Sequence, residues 1–252
     1  MTLRAALLLV SSALLAACVS TGQVDPMKTD KGRDAARDAY IELGIGYLKQ
    51  GATERAKVPL KKALQLDSSN AYANAALALV FQTEMEPELA DQHYRKALSS
   101  NNDSRILNNY GSFLFEQGRY KDAYERFQQA ADDNLYPERS RVFENLGLTA
   151  LKMNNVDLAK QHFDKALRLN RQQPMALLEM AQLSFDEKQY VPARDYYQRY
   201  SQIAPQTARS LLLGSRLATL FDDRDQAASL GLQLKRLYPG TPEYQQYLSE
   251  QR

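Results

Sequence analysis

The chain has 252 residues, 44% of them hydrophobic and 25% charged, with 32 Lys and Arg against 30 Asp and Glu for a formal net charge of +2. That composition belongs to a folded chain long enough to bury a large core, and its interleaved charges contain no basic block of the kind that tracks nucleic acid. A single cysteine excludes an intramolecular disulfide and any multi-thiolate metal site.

Residues 1–17, MTLRAALLLVSSALLAA, carry one positive charge at Arg4, then an apolar run, then small residues. This is the pattern of a cleaved signal peptide, too short for a membrane-spanning helix. Leu15-Ala16-Ala17-Cys18 has the order of a lipobox: a branched residue, two small ones, then cysteine. The expectation is cleavage before Cys18, with diacylglycerol on its thiol, an N-acyl chain on its amine and no further cofactor. A chance cysteine after an ordinary signal peptide is the alternative. Val19 follows where an Asp often marks inner-membrane retention in enteric-type lipoproteins, so the anchor points to the outer membrane, facing the periplasm. Residues 18–34 are polar, contain Gly and Pro, and show no apolar period. They read as a flexible lipidated tether that reaches at most about 50 Å.

From residue 35 a pattern recurs. A small residue at Gly44, Ala78, Gly111, Gly147, Ala181 and Ser215 is followed twelve positions later by Ala56, Ala90, Ala123, Ala159, Ala193 and Ala227. Four residues after each of those alanines stand Leu60, Tyr94, Phe127, Phe163 and Tyr197, with Gly231 breaking the series. Two antiparallel helices approach closely only where side chains are small, and large neighbours then fill the gaps. Gly51 and Gly118 suit helix C-caps, and Pro87 and Pro192 lie near the starts of second helices. Pro59 falls inside a second helix, where it should kink it. Pro137 should mark a longer loop between repeats three and four. Gly214 and Gly231 make repeat six degenerate, and Thr241-Pro242 should start a short terminal helix. This register resembles the tetratricopeptide repeat. The resemblance implies an all-α right-handed superhelix of six helix pairs over residues 35–252, closed by a C-terminal capping helix.

No nucleophile elbow, phosphate loop, zinc-protease motif or dinucleotide fingerprint occurs. His93 and His162 share one register two repeats apart and read as helix-surface residues. Nothing in the sequence points to an enzyme or to a metal site.

In tetratricopeptide repeats, a concave groove is lined by first-helix positions three before, one after and four after the small residue. Carried over here, these give Ile41, Ile45 and Leu48 in repeat one, Ala75 and Leu79 in repeat two, and Asn108, Ser112 and Phe115 in repeat three. The apolar members form a stripe that repeat packing does not require, so it is either a partner site or covered by the tether or by curvature. Arg105, Arg141 and Arg209 recur on the same face, as partners for acidic residues or as solvated rim charges. Ile41 and Ile45 stand where a carboxylate clamp would need Lys and Asn, which disfavours that ligand class.

Beyond the repeats, the stretches LLAACVSTGQVDPMKTDKGRDAARDAYIELGIGYLKQGATERAKVPLKKALQLD, YPERSRVFENLGL, YVPAR, ARSLLLG and LGLQLKRLYPG are similar to the six-repeat outer-membrane lipoproteins of type IV pilus biogenesis, the pilotins of Pseudomonas-like bacteria. The resemblance implies a monomeric protein that binds the secretin subunit, supports its localisation and multimerisation in the outer membrane, and so serves pilus assembly and twitching motility. A general envelope scaffold, for outer-membrane protein assembly or peptidoglycan machinery, is the alternative.

Overall fold

The computed structural model describes residues 26–251; the expected signal peptide, Cys18 and residues 19–25 of the expected tether lie outside them. All regular structure among the described residues is helical: a 3-10 turn at Pro26–Lys28 and thirteen α-helices. None of these helices is long and apolar enough to cross a membrane. The chain falls into two compact units divided after Asn101.

The first unit holds repeats one and two: α1 (Asp30–Lys49) with α2 (Thr53–Leu66), and α3 (Ala71–Thr83) with α4 (Pro87–Ser100). Helix α1 starts at Asp30, five residues ahead of the expected start of the repeats at residue 35. Thr29 caps it by accepting from the Gly32 amide at 3.0 Å, and Asp30 adds favourable charge to the first turn. A cap and an acidic first turn need no apolar period, so the polar composition of residues 29–34 concealed a helix start. Helix α2 runs continuously across the buried Pro59.

The second unit holds repeats three to six: α5 (Ser104–Glu116) with α6 (Tyr120–Ala131), α7 (Arg139–Lys152) with α8 (Val156–Leu169), α9 (Pro174–Asp186) with α10 (Tyr190–Ile203), and α11 (Ala208–Leu220) with α12 (Arg224–Leu237). Helix α13 (Pro242–Glu250) follows, with Thr241 as N-cap. The loop from residue 132 to 138 is the long one around Pro137 that the sequence predicts. It is closed by Arg139 Nε donating to the Ala131 carbonyl at 2.7 Å.

Every helix pair turns in the same way. The residue five before each repeat's alanine is left-handed: Gly51, Met85, Gly118, Asn154, Lys188 and Asp222, with φ between 57° and 72°. The amide after it reaches back into the first helix, as in Ala52 N–H to the Tyr47 carbonyl at 3.0 Å and Gln189 N–H to the Ser184 carbonyl at 2.8 Å. This bond satisfies a carbonyl that the helix end would otherwise leave open. Glycine is used where the sequence suggested, but the geometry is imposed on four other residue types as well.

Sterics set the spacing inside each pair. A Cβ on Gly44 would lie 2.5 Å from Leu60 Cγ, one on Gly111 would lie 2.7 Å from the Phe127 ring, and one on Gly147 would overlap Phe163. Ala78 and Ala181 occupy the same register relative to Tyr94 and Tyr197, and all these small residues are buried. Repeat six is a complete helix pair. Its two odd glycines make room for aromatic rings from neighbours: Gly214 for Tyr197 of the preceding repeat, and Gly231 for Tyr247 of α13. Tyr247 thus supplies the ring that the repeat pattern lacks at position 231.

Candidate partner-binding faces

In the first unit the expected stripe separates into two kinds of residue. Ile41 is 7% exposed and packs with Ala63 and Ala73 between α1, α2 and α3, so it is core and not groove. Its register faces outward only if the next repeat stands clear, and here α3 closes over it. Ile45 and Leu48 are half-buried against Ala56, Leu60, Ala76, Leu77 and Val80, so repeat stacking uses part of their surface, contrary to expectation. Leu79 on α3 is half-buried too. What is left of the expected stripe is the partly exposed surface of Ile45, Leu48 and Leu79.

The second unit carries Arg105, Asn108, Phe115 and Arg141. Phe115 lines a cavity of about 260 Å³ with Ser112, Phe127, Asn145 and Leu148, and packs edge-on against Tyr120 at 5.4 Å between ring centres. Phe185 and Tyr190 repeat that pair at 5.6 Å beside a larger cavity of about 450 Å³ under α13. Asn108 is buried: its Oδ1 accepts from Asn145 Nδ2 at 3.1 Å, tying α5 to α7. Its place is structural, at the floor of the face. Arg105 lies 3.9 Å from Asp103 and Arg141 3.3 Å from Glu138, both with well-exposed side chains. Arg209 differs. It holds the buried Glu179 with two bonds, one of 2.8 Å, and this partner keeps its guanidinium even more firmly charged than usual.

Further cross-repeat ties are absent from the sequence expectation. The Glu144 carboxylate, 7% exposed, accepts from the Ala176 amide at 2.9 Å and so caps α9 from α7. Burial raises its pKa, outweighing the opposing pull of that amide and of Arg141. Lys57 reaches Glu84 at 2.7 Å, and at the same register Lys160 reaches Glu187 at 2.7 Å. Burial would raise Glu84, but the bond from Lys57 wins and holds it below the usual carboxylate range. At that register again, the Arg194 guanidinium sits 3.7 Å above the Phe221 ring. The shared spacing of these residues was the available signal.

Neither histidine is a plain surface residue. His93 is half-buried, stacked on Phe81 with ring centres 5.3 Å apart, and its Nδ1 is 3.1 Å from Asn74 Oδ1. His162 Nε2 is 2.8 Å from the Tyr124 hydroxyl. Burial lowers both pKa values, aided for His93 by Lys96. Among the described residues no group of three His, Cys, Asp or Glu side chains could hold a metal. The surfaces offer apolar strips and paired charges, which is recognition chemistry.

Comparison with known proteins agrees with this architecture. Tetratricopeptide-repeat models match residues 102–172 and 144–208. The chain is similar to the type IV pilus assembly protein PilF of Pseudomonas aeruginosa, with 62% identity over 251 residues that span 99% of this chain and 100% of that one. A solved structure of the Pseudomonas aeruginosa protein is 64% identical, covering 87% of this chain and 100% of that chain with a TM-score of 0.86. PilW, described as a widely conserved type IV pilus biogenesis factor, is 26% identical over 84% of this chain and 98% of its own, with a TM-score of 0.71.

Proposed function

The chain belongs to the tetratricopeptide-repeat family of type IV pilus assembly proteins, and on that premise we propose that it acts in type IV pilus biogenesis as a lipid-anchored holder of the secretin subunit. It is a repeat scaffold and not an enzyme. The carrying observation is that the likeness to the pilus assembly protein runs the whole length of the chain, beyond the repeats that any protein of this fold shares.

Two further features support the finer reading. Leu15-Ala16-Ala17-Cys18 supplies the acylation signal, and acyl chains at Cys18 would hold the protein on the periplasmic face of the outer membrane. The strip at Ile45, Leu48 and Leu79 in the first unit supplies an apolar seat for a secretin segment. Anchor and seat on one chain raise the local concentration of secretin where it must multimerise.

The test combines two variants. Cys18→Ala should leave folded protein that no longer floats with membranes, and secretin multimers in the outer membrane should fall. Ile45→Asp with Leu79→Asp, checked for helix content by circular dichroism, should lose secretin from a pull-down of solubilised envelopes. Normal multimer yield with the first variant removes the anchoring role. Retained secretin with the second removes the seat, and barrel-assembly or cell-wall proteins in place of secretin favour a general envelope scaffold.

A further inference from the structure

The outer edge of repeat one, where no earlier repeat is stacked among the described residues, is neither fully apolar nor plainly polar. On α1, Tyr40, Leu43 and Tyr47 share one face at helical spacing; on α2, Arg55, Val58 and Lys62 share the opposing one. Together they line a groove of about 270 Å³ floored by the buried Pro59. Leu43 is 48% exposed and Val58 59%. The two cations lie over the two rings: Arg55 is 4.3 Å from the centre of Tyr47, and Lys62 Nζ is 5.4 Å from that of Tyr40. Lys61, exposed on the same helix, adds a third positive charge beside them. Their nearest acidic neighbour along α2, Glu54, is already paired with Lys57 at 2.8 Å.

We infer that this edge rests on an anionic lipid surface. The chemistry is that of the membrane interface: aliphatic side chains to enter the headgroup boundary, tyrosines with an apolar body and a polar tip, and long cations whose stems lie on rings while their heads reach phosphate. Protein–protein interfaces are depleted in lysine, and two of the three cations around Leu43 and Val58 are lysines. Position argues the same way, and here the inference rests on the reading that Cys18 is acylated. Cys18 is eight residues before Pro26, so fully extended chain separates the two by at most about 28 Å. The edge belongs to the helix pair nearest the anchor, so docking it adds a second contact to the acyl chains and fixes which face of repeat one the membrane covers.

The chain contains no tryptophan, so a single introduced indole reports its own surroundings. Val58→Trp and, as a control on α4, Leu89→Trp are placed in the full acylated chain. Leu89 is 39% exposed and lies outside the groove. Each protein is reconstituted on vesicles containing phosphatidylglycerol and brominated phosphatidylcholine. Docking predicts a blue shift and quenching for Val58→Trp, neither for Leu89→Trp, and return of Val58→Trp to the control level when Arg55, Lys61 and Lys62 are changed to Gln. Equal emission from the two reporters on vesicles overturns the inference. So does a Val58→Trp signal that appears only when solubilised secretin is added, which would make the edge a protein contact. The anchor is read separately: flotation without quenching leaves the anchor standing and removes the docking surface. If mass spectrometry finds Cys18 unmodified, the anchor falls, and quenching by the same vesicles still decides the surface.

Discussion

The two units join their repeats by different means. In the first, α1 meets α3 through aliphatic surface, Ile41 on Ala73 and Ile45 and Leu48 on Ala76 and Val80. In the second, the first helices are also stitched by buried polar bonds: Asn108 to Asn145, Glu144 to the start of α9, and Glu179 to Arg209. A buried polar pair tolerates one alignment only, because a slipped partner leaves a desolvated group unpaired. Aliphatic contact tolerates small shifts. The first helices of the second unit are therefore held to one register; a polar tie crosses the repeats of the first unit too, from Lys57 to Glu84, but α1 meets α3 through adaptable aliphatic contact where the proposed seat lies.

The largest test of this contrast is steric. Gly147→Ala drives a methyl into the fully buried Phe163 ring and should cost about 3 kcal/mol in urea unfolding. Gly44→Ala meets Leu60, which has more freedom to turn, and should cost about 1 kcal/mol less. Equal costs would break the contrast. Arg209→Ala comes next. It leaves the buried Glu179 carboxyl without its partner, and about 2 kcal/mol should be lost, with part recovered when Glu179→Gln is added.

A smaller effect should follow pH. Both histidines have folded pKa values below the ordinary value of about 6.5, so the unfolded chain takes up their protons first. Stability is full above that value and falls as pH drops through it towards the folded pKa values. Thermal melts between pH 7.5 and 5 should show the fall, and His93→Gln and His162→Gln should each flatten it. The smallest change is a gain. Met85 holds a left-handed turn with its side chain 88% exposed, so Met85→Gly should raise stability by about 0.5 kcal/mol.

The helix pairs were legible in the sequence because close approach is a local demand. Gly44, Gly111 and Gly147 had to be small whatever else the chain did. Ile41 was misread because its burial depends on Ala73, thirty-two residues away on another helix. The left-handed turns at Met85 and Lys188 gave no compositional signal, whereas Asn154 and Asp222 are residue types that favour such turns, and the distance from the repeat alanine marked all four places. Glu144 was invisible for a similar reason. Capping usually comes from the residue just before a helix, and here it comes from the neighbouring repeat.

Tyr247 bears on where this protein can be cut. The repeat pattern fades at about residue 240, the natural point at which to end a fragment. Such a fragment would carry all six helix pairs and yet lack a ring from the inside of the last one, leaving bare glycine at 231 facing water. The edge of the pattern and the edge of the folded body are different places, eleven residues apart on the chain.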